Sequence, residues 1–123
     1  MILLCDFIKR HELDPLGAYF TLSDLRKACK KAASSLGVML GSSKMPGAIF
    51  IKVRIGSNVK GRMITLFLTV EGDVIPLLIR LKKDKHFGMN MSLQNPHVVD
   101  QLDINLDNVT ADISAGRYVK LDF

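Results

Sequence analysis

Residues 50–86 read FIKVRIGSNVKGRMITLFLTVEGDVIPLLIRLKKDKH, and this stretch decides the fold of the chain. It contains three runs rich in β-branched residues, 51–55, 62–70 and 74–82, which are separated by turns containing Gly. Runs of this kind between turn residues are typical of short β-strands joined by hairpins. The stretch therefore predicts a twisted antiparallel sheet centred on residues 49–83.

The two connections between these runs predict the register of the strands. A tight hairpin at 71–73 would place Arg62 opposite Lys82, and a plain hairpin at 56–61 would place Arg54 beside Arg62. One end of the sheet is then predicted to collect five cations: Lys52, Arg54, Arg62, Arg80 and Lys82. Its rim would carry Lys60, Lys83, Lys85 and His86.

This concentration of cations indicates an anionic ligand, because like charges on neighbouring strands destabilise a sheet. Basic residues at strand ends also protect sheet edges and interact with solvent, so a purely structural interpretation remains open. The sequence predicts that the five cations line one anion-binding concavity.

The remaining segments predict helices around this sheet. A helix over 22–36 would begin at a Thr21 or Ser23 cap, and residues 40–47 would form a loop. A second helix would begin at Asn95-Pro96 and end at Gly116. Residues 2–10 fit a strand or a short helix, and residues 117–123 fit a strand or a tail.

The predicted fold class is α+β: an N-terminal helical region packed on a twisted antiparallel sheet of three to four strands, plus a C-terminal helix. A length of 123 residues fits one domain over 1–123. Cys5 and Cys29 have no metal-site spacing and are expected to be buried thiols. No apolar run approaches bilayer length, and early charges argue against a signal peptide, so we expect a cytoplasmic protein without a membrane partner.

The charge is distributed unevenly along the chain. Residues 26–85 carry 13 Lys or Arg against 3 acids, a net charge of +10. The flanks are acidic, with net charges of −2 over residues 1–25 and −3 over residues 86–123. A basic region that coincides with the predicted sheet indicates a phosphate-rich partner.

The sequence lacks the GxxxxGK[ST], GxGxxG, HExxH and GxSxG motifs, and it shows no cluster of carboxylates typical of a magnesium site. We therefore expect no metal and no cofactor. The residues do fit metal-free RNA cleavage, in which Arg stabilises the charge that develops on phosphate. Lys52 or Lys82 would be the base if crowding lowers its pKa, and His86 is either an acid–base group or an ordinary loop histidine.

The order of elements resembles the RelE/ParE superfamily of bacterial toxins from type II toxin–antitoxin modules. The similarity covers roughly residues 21–95, from a basic helix through FIKVRI (50–55), RMITLF (62–67) and LLIRLKKDK (77–85). In that family a strand with alternating basic residues precedes a strand opening with Arg and a strand running into a Lys-rich end. Many members have a Tyr after the last strand, where this chain has Phe87.

The resemblance to the RelE and HigB branches implies a ribosome-dependent, metal-independent mRNA endoribonuclease that blocks translation, controlled by a cognate antitoxin protein. The catalytic residues would be Lys52, Arg54, Arg62 and Lys82. RNA would also contact Lys60, Arg80, Lys83, Lys85 and His86. Two alternatives remain open on the same scaffold: a ParE-like inhibitor of DNA gyrase and a non-catalytic RNA-binding or regulatory protein.

Overall fold

The computed structural model describes residues 1–34, 36–57, 60–87 and 91–123. Among these residues the strands are β1 Ile2–Cys5, β2 Val38–Ser42, β3 Ala48–Ile55, β4 Gly61–Leu68, β5 Val74–Leu81 and β6 Tyr118–Leu121. The helices are α1 Asp6–Ile8, α2 Leu22–Ala33 and α3 Pro96–Ala115. A π-helical turn, Lys9–Leu13, and a 3₁₀ turn, Asp14–Leu16, follow α1. The predicted α+β class is confirmed.

The sheet is larger than predicted and is mixed. Its six described strands are ordered β2-β3-β4-β5-β1-β6. Strands β2 to β5 form an antiparallel meander, while β1 lies parallel to β5 and antiparallel to β6. The prediction of three to four antiparallel strands was therefore wrong. All four residues of β1 are buried, which is typical of an inner strand and explains why its sequence shows no alternation.

The predicted register is correct for one hairpin and shifted in the other. Strands β3 and β4 pair with Arg54 opposite Arg62, as predicted. Strands β4 and β5 pair with Arg62 opposite Arg80 instead of Lys82. The shift arises because β4 ends at Leu68, whose N–H donates to the Asp73 carbonyl at 2.9 Å, so the connection is longer than a tight loop. A bulge opposite Thr65 accommodates Pro76, which has no N–H to donate.

Helix α2 begins as predicted but ends earlier. The Thr21 hydroxyl accepts from the Asp24 N–H, and the Asp24 carboxylate accepts from the Thr21 N–H, forming a capping box. The helix ends at Ala33 rather than Leu36, whose side chain is 74% exposed. Strand β2 then occupies part of the predicted loop 40–47, because an edge strand that is exposed on one side has no clear apolar alternation.

Helix α3 has the predicted ends, and its buried face includes polar side chains. The Asn95 side chain caps its start, and Gly116 ends it with a φ of +73°, a conformation that glycine adopts without strain. Asn105 and Asp112 are buried on the same face as Val98. The helix therefore buries a carboxylate as well as apolar side chains. None of the described helices is both long and apolar enough to span a bilayer.

The two long helices pack on opposite faces of the sheet. Gly37, after α2, is close to the side chains of Ile51 and Val53, since a Cβ there would come within 2.5 and 2.7 Å of them. Phe50 faces the other way and lines an apolar cavity of about 190 Å³ together with Leu102 and Leu106 of α3. Because side chains alternate along a strand, Lys52 and Arg54 project from the α3 side of β3.

Candidate nucleic-acid interface

Three arginines form a row across three neighbouring strands. Arg54 pairs with Arg62, and Arg62 pairs with Arg80, so the row crosses β3, β4 and β5 on the α3 face. Lys52 lies two residues before Arg54 in β3, and Lys82 lies just after β5, two residues after Arg80, so the cationic surface extends beyond the row. The fold therefore brings together the cations that the sequence placed at one end of the sheet.

Arg80 differs from the rest of the row because it has a carboxylate partner. Its guanidinium forms an ion pair with Glu12, which is only 2% exposed, and lies 4.4 Å from the centre of the Phe87 ring. The Ile79 N–H also donates to Glu12, at 2.7 Å, and the Asn105 amide donates to it at 3.2 Å. The charge of Arg80 is thus matched within the protein, and its side chain belongs to a buried polar network.

The other members of the predicted site lack such partners. Within residues 1–34, 36–57, 60–87 and 91–123, no carboxylate lies within 4.0 Å of the charged groups of four residues: Lys52, Arg54, Arg62 and Lys82. Arg62 donates one hydrogen bond, at 3.3 Å, to the Gly61 carbonyl. Their positive charges are available to a ligand.

Three adjoining cavities surround Arg54, and we call them together the corner groove. The largest, about 350 Å³, is lined by Lys31, Leu36, Gly37, Val38, Lys52, Val53, Arg54 and Arg62. The second, about 210 Å³, is lined by Arg54, Ile55, Gly56, Ser57, Lys60, Gly61, Arg62 and Lys82. The third, about 160 Å³, is lined by Asp24, Lys27, Ala28, Lys31, Arg54, Gly56 and Ser57. Arg54 contributes to all three cavities and is the centre of the groove.

Two lysines of α2 belong to this groove, although neither was among the predicted site residues. Lys27 and Lys31 lie one helical turn apart and face the cavities next to Arg54. Their spacing of four residues on a basic helix is a signal in the sequence, but only the packing of α2 against β3 shows which side of the helix meets the site.

The predicted rim is only partly present in the groove. Lys60 lines the second cavity, but Lys83, Lys85 and His86 lie in the exposed turn after β5 and line none of the three cavities. The Asp84 carboxylate accepts from the His86 N–H at 2.9 Å, and the His86 ring lies 5.3 Å from the ring of His97.

The chemistry of the corner groove is dominated by cations. Apart from Lys and Arg, Asp24 is the only titratable residue among the described residues that line the three cavities, and its carboxylate already accepts from the Thr21 N–H at 2.9 Å. Such a surface can bind several phosphates and can stabilise charge that develops on one of them.

No family model, no curated protein and no solved structure matches this chain.

Proposed function

We propose that this chain binds RNA in the corner groove and acts as the toxin of a type II toxin–antitoxin module, a ribosome-dependent mRNA endoribonuclease that needs no metal. The observation that carries the proposal is the group of cations around Arg54 that lack carboxylate partners among the described residues. A protein gains no stability from such an arrangement, whereas a phosphate backbone would neutralise it. The resemblance to RelE-type toxins supports the choice of RNA and of cleavage.

The proposed reaction uses the RNA's own ribose as nucleophile. The 2′-oxygen attacks the adjacent phosphorus, a 2′-O–P bond forms, and the bond from phosphorus to the 5′-oxygen breaks. Lys52 or Lys82 takes the proton of the 2′-hydroxyl, and the departing 5′-oxygen receives a proton from water. Arg54 and Arg62 stabilise the extra negative charge on the phosphate oxygens, which is greatest in the transition state.

Cleavage of ribosome-bound mRNA tests this reaction. The products should carry a 2′,3′-cyclic phosphate and a 5′-hydroxyl, and a 2′-deoxy substitution at the cleaved nucleotide should abolish the reaction. Arg62→Ala should lower the cleavage rate by about 100-fold while weakening binding by less than about tenfold. Lys44→Ala, which removes an exposed cation outside the corner groove, is the matched control and should change neither value. Products with a 5′-phosphate would contradict the mechanism.

A non-catalytic RNA-binding or regulatory protein is the second candidate. The observation that favours it is the absence of histidine and tyrosine among the described residues that line the three cavities. This candidate predicts salt-dependent RNA binding that Arg62→Ala weakens, with no cleavage of ribosome-bound mRNA. The two candidates share the groove and differ in the cleavage assay.

The proposed partner is a cognate antitoxin. Acidic side chains of such a protein would neutralise Arg54, Arg62 and Lys82 and would compete with RNA for the same charges. Within this chain, the Glu12 carboxylate already neutralises the charge of Arg80 in the same way.

A further inference from the structure

The cations of the corner groove come from both faces of the sheet. Lys27 and Lys31 belong to α2, which packs on the face that carries Ile51 and Val53. Lys52, Arg54 and Arg62 project from the opposite face, on the side of α3. Lys31 and Lys52 nevertheless line one cavity of about 350 Å³, so the groove passes from one face to the other.

The groove passes between the two faces at the part of the β3 edge that β2 does not cover. Strand β2 covers this edge from Ile49 to Lys52, and Val38 opposite Lys52 is the last pair. Beyond that pair, no strand among the described residues adjoins Val53–Ile55 on this side. Arg54 therefore lies where a ligand can turn around the edge, and this explains why it contributes to cavities on both sides.

We propose that the corner groove selects a single nucleic-acid strand over a duplex, with the strand passing from Lys27 and Lys31 around the β3 edge at Arg54 to Arg62 and Lys82. This inference rests on the proposed RNA-binding function and adds its substrate class. A duplex bends smoothly only over many base pairs, whereas a single strand turns within a few nucleotides. A duplex can therefore reach the cations of one face at a time, and a single strand reaches both sets.

The walls of the largest cavity supply a second reason for this preference. Leu36 and Val38 are 74% and 59% exposed, and both line this cavity beside Lys31 and Lys52. A single strand presents the apolar faces of its bases to such side chains, whereas a duplex keeps those faces stacked inside. Apolar and cationic groups in one cavity thus match unpaired nucleotides.

Fluorescence anisotropy with a labelled single-stranded RNA, and with a duplex of the same sequence, tests the inference. The wild-type chain should bind the single strand at least about tenfold more tightly than the duplex. Lys27→Gln combined with Lys31→Gln should remove most of this preference and should lower the slope of log affinity against log salt by about 1.4, because each lost phosphate contact on a single strand contributes about 0.7.

The matched control is Lys44→Gln combined with Lys120→Gln, which removes the same charge from exposed positions outside the groove. It should change the single-strand affinity less than threefold, or about 0.7 kcal/mol or less. Equal binding of duplex and single strand, or equal losses in the two double variants, would overturn the proposed path. Circular dichroism on each variant verifies that a loss of binding is not a loss of fold.

Arg62→Glu combined with Lys82→Glu separates this inference from the proposed function. If this variant loses RNA binding while the Lys27 and Lys31 variant retains it, the groove binds RNA and only the path around the edge is wrong. If the wild-type chain binds neither RNA, or if the Arg62 and Lys82 variant binds like the wild type, the proposed function and the path both fail.

Discussion

Glu12 illustrates at the residue scale how one carboxylate organises the middle of the fold. It is almost completely buried and accepts hydrogen bonds from the Ile79 N–H, the Arg80 guanidinium and the Asn105 amide. Burial raises the pKa of Glu12, and the Arg80 charge and the three hydrogen bonds act against that increase. Asn105 also donates to the Leu77 carbonyl at 2.6 Å, so the network joins the N-terminal helical segment, β5 and α3.

Glu12→Ala should therefore destabilise the protein strongly. The substitution leaves a largely buried guanidinium and two N–H donors without their partner, and the loss of one member of a buried ion pair costs about 3 kcal/mol or more. Urea denaturation measures the free energy of unfolding. Asp14→Ala, which breaks the exposed pair between Asp14 and Lys9, is the control and should cost less than about 1 kcal/mol. Similar losses in the two variants would mean that the buried network contributes little.

At the level of elements, α3 links α1, which follows β1, to the segment that precedes β6. Its buried Asp112 accepts from the Phe7 N–H in α1 at 2.8 Å and from the Arg117 guanidinium before β6 at 2.9 Å. Burial alone would raise the pKa of Asp112, but the Phe7 N–H and the Arg117 side chain outweigh this effect and hold the pKa below the ordinary value of 3.8.

This lowered pKa predicts how stability depends on pH. A carboxylate whose pKa is lower in the folded state than in the unfolded state stabilises the fold at pH values above its unfolded-state pKa. This stabilisation is lost as the pH falls through the folded-state pKa. Asp112→Asn should therefore be less stable than the wild type at pH 7. The difference in stability should shrink as the pH falls below the ordinary pKa of 3.8. Thermal unfolding over a pH series measures this difference. The exposed Asp107→Asn on the same helix is the control and should differ little from the wild type at any pH. A constant deficit for Asp112→Asn would contradict the interpretation.

For the whole molecule, the basic residues are grouped in the middle of the sequence, and folding brings many of them close together in space. The basic region 26–85 carries a net charge of +10, and it contains most of α2 and all of β3, β4 and β5. Folding brings its cations to one corner, where Arg54 lies at the centre of the groove. A field of this kind attracts a polyanion from a distance and weakens as salt screens it.

The proposed toxin function predicts an effect on living cells. Expression of this chain alone in growing bacteria should arrest growth, and co-expression of a short neighbouring reading frame should relieve the arrest. Bacteria that express Arg62→Ala at an equal protein level should grow normally. Bacteria that express Lys44→Ala should stop growing, like those that express the wild type. Harmless expression of the folded wild-type chain would favour the non-catalytic RNA-binding candidate.

Several elements of the fold could be predicted because their signals lie within short segments of the sequence. Runs of β-branched residues between turns over residues 50–86 predicted the central strands, the short loop 56–61 predicted Arg54 opposite Arg62, and Thr21, Asn95 and Gly116 marked helix ends. These signals hold because strand propensity, hairpin closure and helix capping each depend on a few consecutive residues.

Features that depend on contacts between distant segments could be recognised only in the folded protein. The apolar run at β1 and the exposed run at β2 carry no distinctive period, so their places in the sheet come from packing. The partnership of Glu12 and Arg80 joins residues 68 apart in the chain. Likewise, the position of Lys27 and Lys31 beside Arg54 follows from how α2 packs on β3. A side chain's partner is set by proximity in space, which the sequence pattern near that side chain does not encode.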